Sequence, residues 1–215
     1  MSPEPERRRL GRPPSADSTE TREQILVAAR LAFAQKGFEA TTNKEIAAAV
    51  GITTGAIYHY FVSKTELYTA VYAEVQDLVY TAFERAAADQ RCFADQVGAV
   101  LDAAVAVNRQ DPTIAGFVVG VAGEVQRHPE LGPLVAPYRR RGRDFVTDLA
   151  RAAGERGEFM PGLDPAAVAD MAQAVLGGLA TFSSTTGDIE RHRAASQMVR
   201  RMLTGTLLVG VPAPS

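Results

Sequence analysis

Residues 43–61, NKEIAAAVGITTGAIYHYF, decide the fold of this chain. A helix, a tight turn and a second helix crossing the first each make separate demands on a sequence. A small residue is needed where the helices touch, and Ala47 is there. A residue that tolerates positive φ is needed in the turn, and Gly51 is there. Apolar side chains must face inward from both helices. Ile46, Val50, Ile52 and Ile57 do so, and Phe61 closes the unit from below. Each match alone is weak; their agreement at one spacing predicts a helix-turn-helix.

The second helix, expected over 54–60, buries Ile57 and one aromatic, with Ala56 beside them. Thr53, Thr54, Gly55, Tyr58 and His59 stay outside, with Tyr60 at the margin. Hydroxyls and a ring nitrogen can bond base edges and phosphates, and a glycine lets a helix approach closely. Helix N-termini attract phosphate as well. Lys64 opens the next helix, where a cation opposes the macrodipole unless an anion is near. These residue types suit a reader of the DNA major groove. Tyr60 serves equally well as a packing residue.

Outward from this unit the chain reads helical almost throughout. TREQILVAARLAFAQKG, residues 21–37, puts Ile25, Ala29, Ala32 and Phe33 on one face and ends on Gly37 as a cap. Thr42 with Glu45, and Ser63 with Glu66, have the spacing of capping boxes. A long fourth helix follows, with Leu67, Val71, Val75, Leu78 and Ala82 as its expected apolar stripe. The next two helices stop before Pro112 and Pro129. A long piece runs from about 133 to 154, another starts from Asp164 and Pro165, and the last begins at Asp188 and is expected to run to about 210. No stretch alternates long enough to argue a strand. The expectation is an all-α chain of about nine helices: a disordered basic arm over 1–17, a three-helix helix-turn-helix domain over 18–64, and a larger helical domain over 65–210.

At 215 residues, with 46% hydrophobic and 22% charged residues, the composition is that of an ordinary globular chain. Cys92 is the single cysteine, which excludes a disulfide framework within the chain. The opening MSPEPERRRLGRPPSADS has no apolar run of a signal peptide, and IAGFVVGVAG (114–123) is half a membrane span, so a soluble, cytoplasmic protein is expected. Residues 1–64 hold nine Lys and Arg against seven Asp and Glu, an excess too small to decide anything. The histidines, His59, His128 and His192, are far apart and none has a cysteine or carboxylate at ligand spacing. No glycine-rich phosphate loop appears. No catalytic residue, metal or cofactor is expected.

TREQILVAARLAFAQKGFEATT followed by IAAAVGITTGAIYHYFVSKTELY resembles the DNA-binding domain of the tetracycline-repressor (TetR) family, over about residues 20–68. Beyond it the likeness rests on length and helical character alone. The resemblance implies a homodimer whose two recognition helices enter successive major grooves of a palindromic operator in double-stranded DNA. It further implies a small hydrophobic or amphipathic effector, bound in the C-terminal domain, that releases the DNA. By that likeness Thr42, Lys44, Tyr58, Tyr60 and Lys64 contact phosphates, while Thr53, Thr54, Gly55 and His59 read bases or touch the backbone. Asn43 and Lys44 depart from the apolar or arginine residue common there. An activator or a corepressor-dependent repressor fits the same residues. A helical carrier or enzyme would leave Thr53, Thr54, Tyr58 and Lys64 unexplained.

The remaining candidates carry more than one reading each. Arg7, Arg8, Arg9 and Arg12 form either a minor-groove arm or a basic tail. YRRRGRD (138–144) is a solvated face, a clamp for an anion or a salt-bridge network, and Gly142 in mid-helix suggests close packing. Gly116, Gly120 and Gly123 mark a tight crossing or a cavity wall; on the second reading Phe117, Val121, Phe145, Met171, Val175 and Phe182 line a ligand pocket. Gly177 and Gly178 raise the same choice. Val168, Gly178, Leu179, Met198, Met202 and Leu207 are candidates for a dimer interface built as a four-helix bundle.

Overall fold

The computed structural model describes residues 14–207, with side chains from residue 18. Among these residues there are nine α-helices and no strand. They are α1 (Pro14–Ala40), α2 (Asn43–Val50), α3 (Thr54–Tyr60), α4 (Lys64–Ala88), α5 (Phe93–Gln110), α6 (Thr113–Arg127), α7 (Leu131–Glu155), α8 (Pro165–Thr186) and α9 (Ile189–Leu203). The all-α expectation therefore holds. Helix α1 starts earlier than expected: residues 14–17, assigned to the arm, are helical, and a first-turn proline loses no helical hydrogen bond. The arm arginines Arg7, Arg8, Arg9 and Arg12 lie outside the described residues. Helix α9 ends sooner, at Leu203, with Gly205 at φ 68° just beyond.

The helix ends follow local chemistry. Thr42 and Glu45 complete a reciprocal capping box at α2. At α4, Ser63 accepts from the Glu66 N–H at 3.0 Å, but the Glu66 carboxylate reaches one residue further back, to the Val62 N–H. Gly37 breaks helical geometry at φ 79° and ψ 177°. A Cβ there would also stand 2.7 Å from Glu124 Oε1, so both conformation and space require glycine.

Helix α1 lies against α2, α4 and α6; α4 against α5 and α7; α8 against α6, α7 and α9; and α9 against α5. One core runs without a break from the N-terminal helices into α6 and α7. Ile25, Phe33, Phe38, Ile46, Ile57, Phe61, Tyr68, Tyr72, Phe117, Val121, Leu131 and Val135 all belong to it. Helix α4 thus serves the helix-turn-helix unit and the larger bundle alike. Its buried stripe is Leu67, Tyr68, Val71, Tyr72, Val75, Gln76, Tyr80 and Phe83, whereas Leu78 is exposed. The apolar spacing through Leu78 misjudged the face, because α5 and α7 flank α4 and select its aromatic side. A second cluster, with Leu101, Val146, Ala150, Ala169 and Ala172, joins α5, α7 and α8.

Candidate nucleic-acid interface and interior cavity

The turn between α2 and α3 is built as the sequence requires. Gly51 adopts φ 76° and ψ 26°. The Ile52 N–H donates to Ala47 O at 3.0 Å and the Gly51 N–H to Ala48 O at 3.3 Å, the paired bonds of a Schellman closure. Thr53 then caps α3, its hydroxyl oxygen accepting from the Ala56 N–H at 3.1 Å. Ile57 is fully buried and Phe61 nearly so, which anchors the inner face of α3. The outer face presents Gly55, Tyr58 and His59, with Tyr58 53% exposed; Thr54 and Tyr60 are half-buried, and Tyr60 leans on the core.

Several candidates also hold the fold. The Thr42 hydroxyl accepts from the Glu45 N–H at 3.2 Å, and Lys36 reaches the same carboxylate at 2.8 Å. Lys36 and then Thr42 hold the Glu45 carboxyl below its ordinary value. Lys44 is exposed on the first turn of α2. Lys64 explains its own awkward place. Its Nζ donates to the carbonyls of Glu39 at 3.1 Å and Thr41 at 3.2 Å, and stands 4.5 Å from the centroid of the Phe38 ring. Those carbonyls and the ring stabilise the cation, so its position does not by itself require a phosphate. The spacing in sequence could not show a contact with residues some twenty-five positions earlier.

An interior cavity of about 120 Å³ lies among α4, α5, α6, α8 and α9. None of the six residues proposed from the sequence lines it. Phe117 and Val121 are consumed by the aromatic core, where Phe117 sits 5.3 Å from Tyr68 between ring centroids. Phe145 packs edge-on against Tyr80 and tilted against Phe83, Met171 is exposed, and Phe182 lies under the Arg191 guanidinium. Val175 is half-buried away from the cavity. The lining comes instead from Gln76, Tyr80 and Phe83 of α4, Leu101 and Asn108 of α5, Ile114 and Val118 of α6, Gln173, Leu176 and Gly177 of α8, and His192 of α9, among others. A signal existed: Gln76 and Asn108 interrupt the apolar faces of their helices, and both are over nine-tenths buried. A polar residue kept on a buried stripe needs a partner there.

Two polar ties join this region to α1 and, through it, to the helix-turn-helix unit. Buried Arg30 of α1 pairs with Asp111 at the α5–α6 corner, bonds Thr113 Oγ1 at 3.2 Å and stands 3.8 Å from Glu74. Burial alone would raise the Asp111 pKa; hydrogen bonds from Thr113 and the Arg30 charge outweigh it and hold the carboxyl low. At the other end of α6, buried Glu124 accepts from the Phe38 N–H at 3.2 Å, with His128 3.9 Å away. Of the arginine run, Arg141 joins α7 to α4 through Asp77 at 2.6 Å and Glu84 at 3.0 Å, while Arg139, Arg140 and Arg143 are exposed. Among the described residues no His, Cys, Asp and Glu side chains group as a metal site.

Residues 25–71 match the family model described as bacterial regulatory proteins, tetR family. Residues 93–208, more than half of the chain, match the C-terminal model of a BetI-type transcriptional repressor. The chain belongs to the TetR family. It is a helix-turn-helix transcriptional regulator, and α3 is the second helix of that motif. The HTH-type transcriptional regulator UidR of Escherichia coli K12 is 27% identical over 188 residues, which is 87% of this chain and 93% of UidR. Among solved structures, Salmonella enterica GusR is 29% identical with a TM-score of 0.70, covering 87% of this chain and 95% of GusR. FadR from Bacillus subtilis, solved in complex with stearoyl-CoA, shares the fold at 18% identity and a TM-score of 0.74, covering 86% and 99%.

Helices α8 and α9 leave an apolar surface. Gly178, Met198, Met202 and Leu207 are exposed, whereas Val168 and Leu179 turn inward against the second core cluster. Helix α8, rather than residues 114–123, is the one helix among the described residues long and apolar enough to cross a membrane.

Proposed function

We propose that this TetR-family chain is a repressor that binds a palindromic operator as a homodimer and releases it when a small molecule fills the interior cavity. The observation that carries this reading is the connection between cavity and DNA-binding helices. Helix α6 walls the cavity with Ile114, Ala115 and Val118. The same helix is tied to α1 at both ends, through Asp111 and Thr113 to Arg30 and through Glu124 to Phe38. A ligand that widens the cavity displaces α6, and α1 with its attached α2 and α3 follows. Ligand binding then favours the conformation whose recognition helices no longer match the operator spacing.

On the DNA side, Tyr58, Tyr60, Thr42, Lys44 and Lys64 hold phosphates, and Thr53, Thr54, Gly55 and His59 face the base edges. A second copy covers the exposed α8–α9 surface, forming a four-helix bundle around Gly178, Met198 and Met202. That arrangement accounts for the apolar character of α8 without a membrane and keeps the regulator in the cytoplasm with its DNA.

The test is selection of bound duplexes from a random DNA pool, repeated with Tyr58→Ala. The parent enriches a two-fold symmetric sequence, and the variant, whose half-exposed tyrosine contributes little to folding, loses about tenfold or more in affinity for it. Equal binding by parent and variant refutes the assignment of α3.

A further inference from the structure

The cavity has a chemistry of its own. No Asp, Glu, Lys or Arg lines it. Polar side chains enter from four helices: Gln76 and Tyr80, Asn108, Gln173, and His192. Three of them hold a buried polar atom without a hydrogen-bond partner, namely Asn108 Oδ1, Gln173 Oε1 and His192 Nδ1. Asn108 and His192 are themselves more than nine-tenths buried. Buried polar atoms of folded proteins are almost always paired, so three orphans on one cavity wall mark places where a ligand's groups belong.

The type of group follows. Two of the three orphans are carboxamide oxygens, which only accept, so the ligand must donate through O–H or N–H. A charged ligand would enter without a counter-charge, against walls otherwise formed by Val79, Phe83, Leu101, Ile114 and Leu176. An apolar molecule would fill the space and leave the orphans unpaired. The volume, about 120 Å³, is close to the roughly 150 Å³ of an engineered cavity that takes up benzene.

We propose that the cavity binds an uncharged alcohol or phenol of about one ring, its hydroxyl donating to Asn108 Oδ1 or Gln173 Oε1 and its apolar part lying against Phe83, Leu101 and Leu176. This rests on the reading of the cavity as the effector site. It also separates this chain from regulators of the same fold that take anionic ligands, since no cation is present to receive one.

The test uses the full-length protein and three probes of similar size: benzyl alcohol, toluene and benzoate. Binding is measured by calorimetry at millimolar ligand, and DNA affinity by fluorescence anisotropy. Benzyl alcohol is expected to bind roughly tenfold more tightly than toluene, the worth of about one buried hydrogen bond, and more tightly still than benzoate. Asn108→Leu and Gln173→Leu, tested separately, reduce that preference over toluene in at least one case. The comparison among probes on the parent protein does not depend on either variant folding. Benzoate binding as well as benzyl alcohol, toluene matching it, or no binding by any of the three overturns the proposal. Binding of benzyl alcohol that leaves DNA affinity unchanged upholds the cavity chemistry and refutes the effector reading.

Discussion

Replacing Gly142 by alanine should destabilise the protein, although the same change in an exposed helix stabilises. A helical glycine costs about 1 kcal/mol relative to alanine, so propensity alone predicts a gain. At Gly142 the added Cβ would stand 2.6 Å from Tyr80 Cζ and 3.1 Å from Cε2, and its hydroxyl is nearer still. Ordinary carbon contacts lie at about 3.5–4.0 Å, so Tyr80 must retreat by about 1 Å. It has little room: its ring is packed against Phe83 at 5.5 Å and Phe145 at 5.9 Å between centroids. Overpacking of this kind costs about 1–3 kcal/mol, which exceeds or cancels the propensity gain and leaves a net loss of about 0–2 kcal/mol. Gly120→Ala in α6 is the internal control, because Gly120 is exposed, its Cβ meets nothing within 4 Å and only the gain remains. The two variants should therefore differ by about 1–3 kcal/mol in urea denaturation followed by circular dichroism at fixed protein concentration. If Gly142→Ala is as stabilising as Gly120→Ala, the contact between α4 and α7 at Tyr80 is not as described. Tyr80 also borders the cavity, so Gly142→Ala should weaken ligand binding as well.

Lys64→Ala should lower thermal stability by about 1 kcal/mol in the absence of DNA, through loss of two carbonyl contacts and the Phe38 ring, whereas Tyr58→Ala should leave it unchanged; equal effects on both would remove the structural role of Lys64. Burial pushes the His192 pKa below its ordinary 6.5, so as pH falls through that value the unfolded chain takes up a proton the folded one resists. Stability should decline as pH drops below about 6.5, a slope that His192→Gln removes, and a thermal-melting series across pH checks it. Asp111, whose pKa is held low, affects stability only in the more acidic range, below its ordinary 3.8. Met202→Glu places a charge on a side chain 52% exposed in one copy; sedimentation should show monomers with unchanged helicity, and an intact dimer would mean the α8–α9 surface is not the interface.

The sequence by itself determined the helices, most of their ends and the helix-turn-helix. Gly51 and the caps at Thr42, Ser63 and Asp164 act through bonds to residues a few positions away, and the prolines at 112 and 129 through the helical bond they cannot donate. Such chemistry is complete within a short window, so it can be read without neighbours. The exposed face of α3 was legible for the same reason: once Ile57 is buried, the helical repeat sends Tyr58 and His59 outward.

Only the tertiary structure decided which faces of the longer helices are used. Leu78 and Met171 lie at core-like spacing yet face outward, because the rotation of a long helix is set by what packs beside it. Lys64 finds its partners at the end of α1, and Glu124 meets Phe38 across the whole of α2 to α5, pairings no local pattern encodes. The cavity is the extreme case. Gln76, Asn108, Gln173 and His192 sit on four different helices, and each alone reads as a stray polar residue on an apolar face. They become a site because α4, α5, α8 and α9 converge there, and convergence depends on contacts between residues distant in the chain.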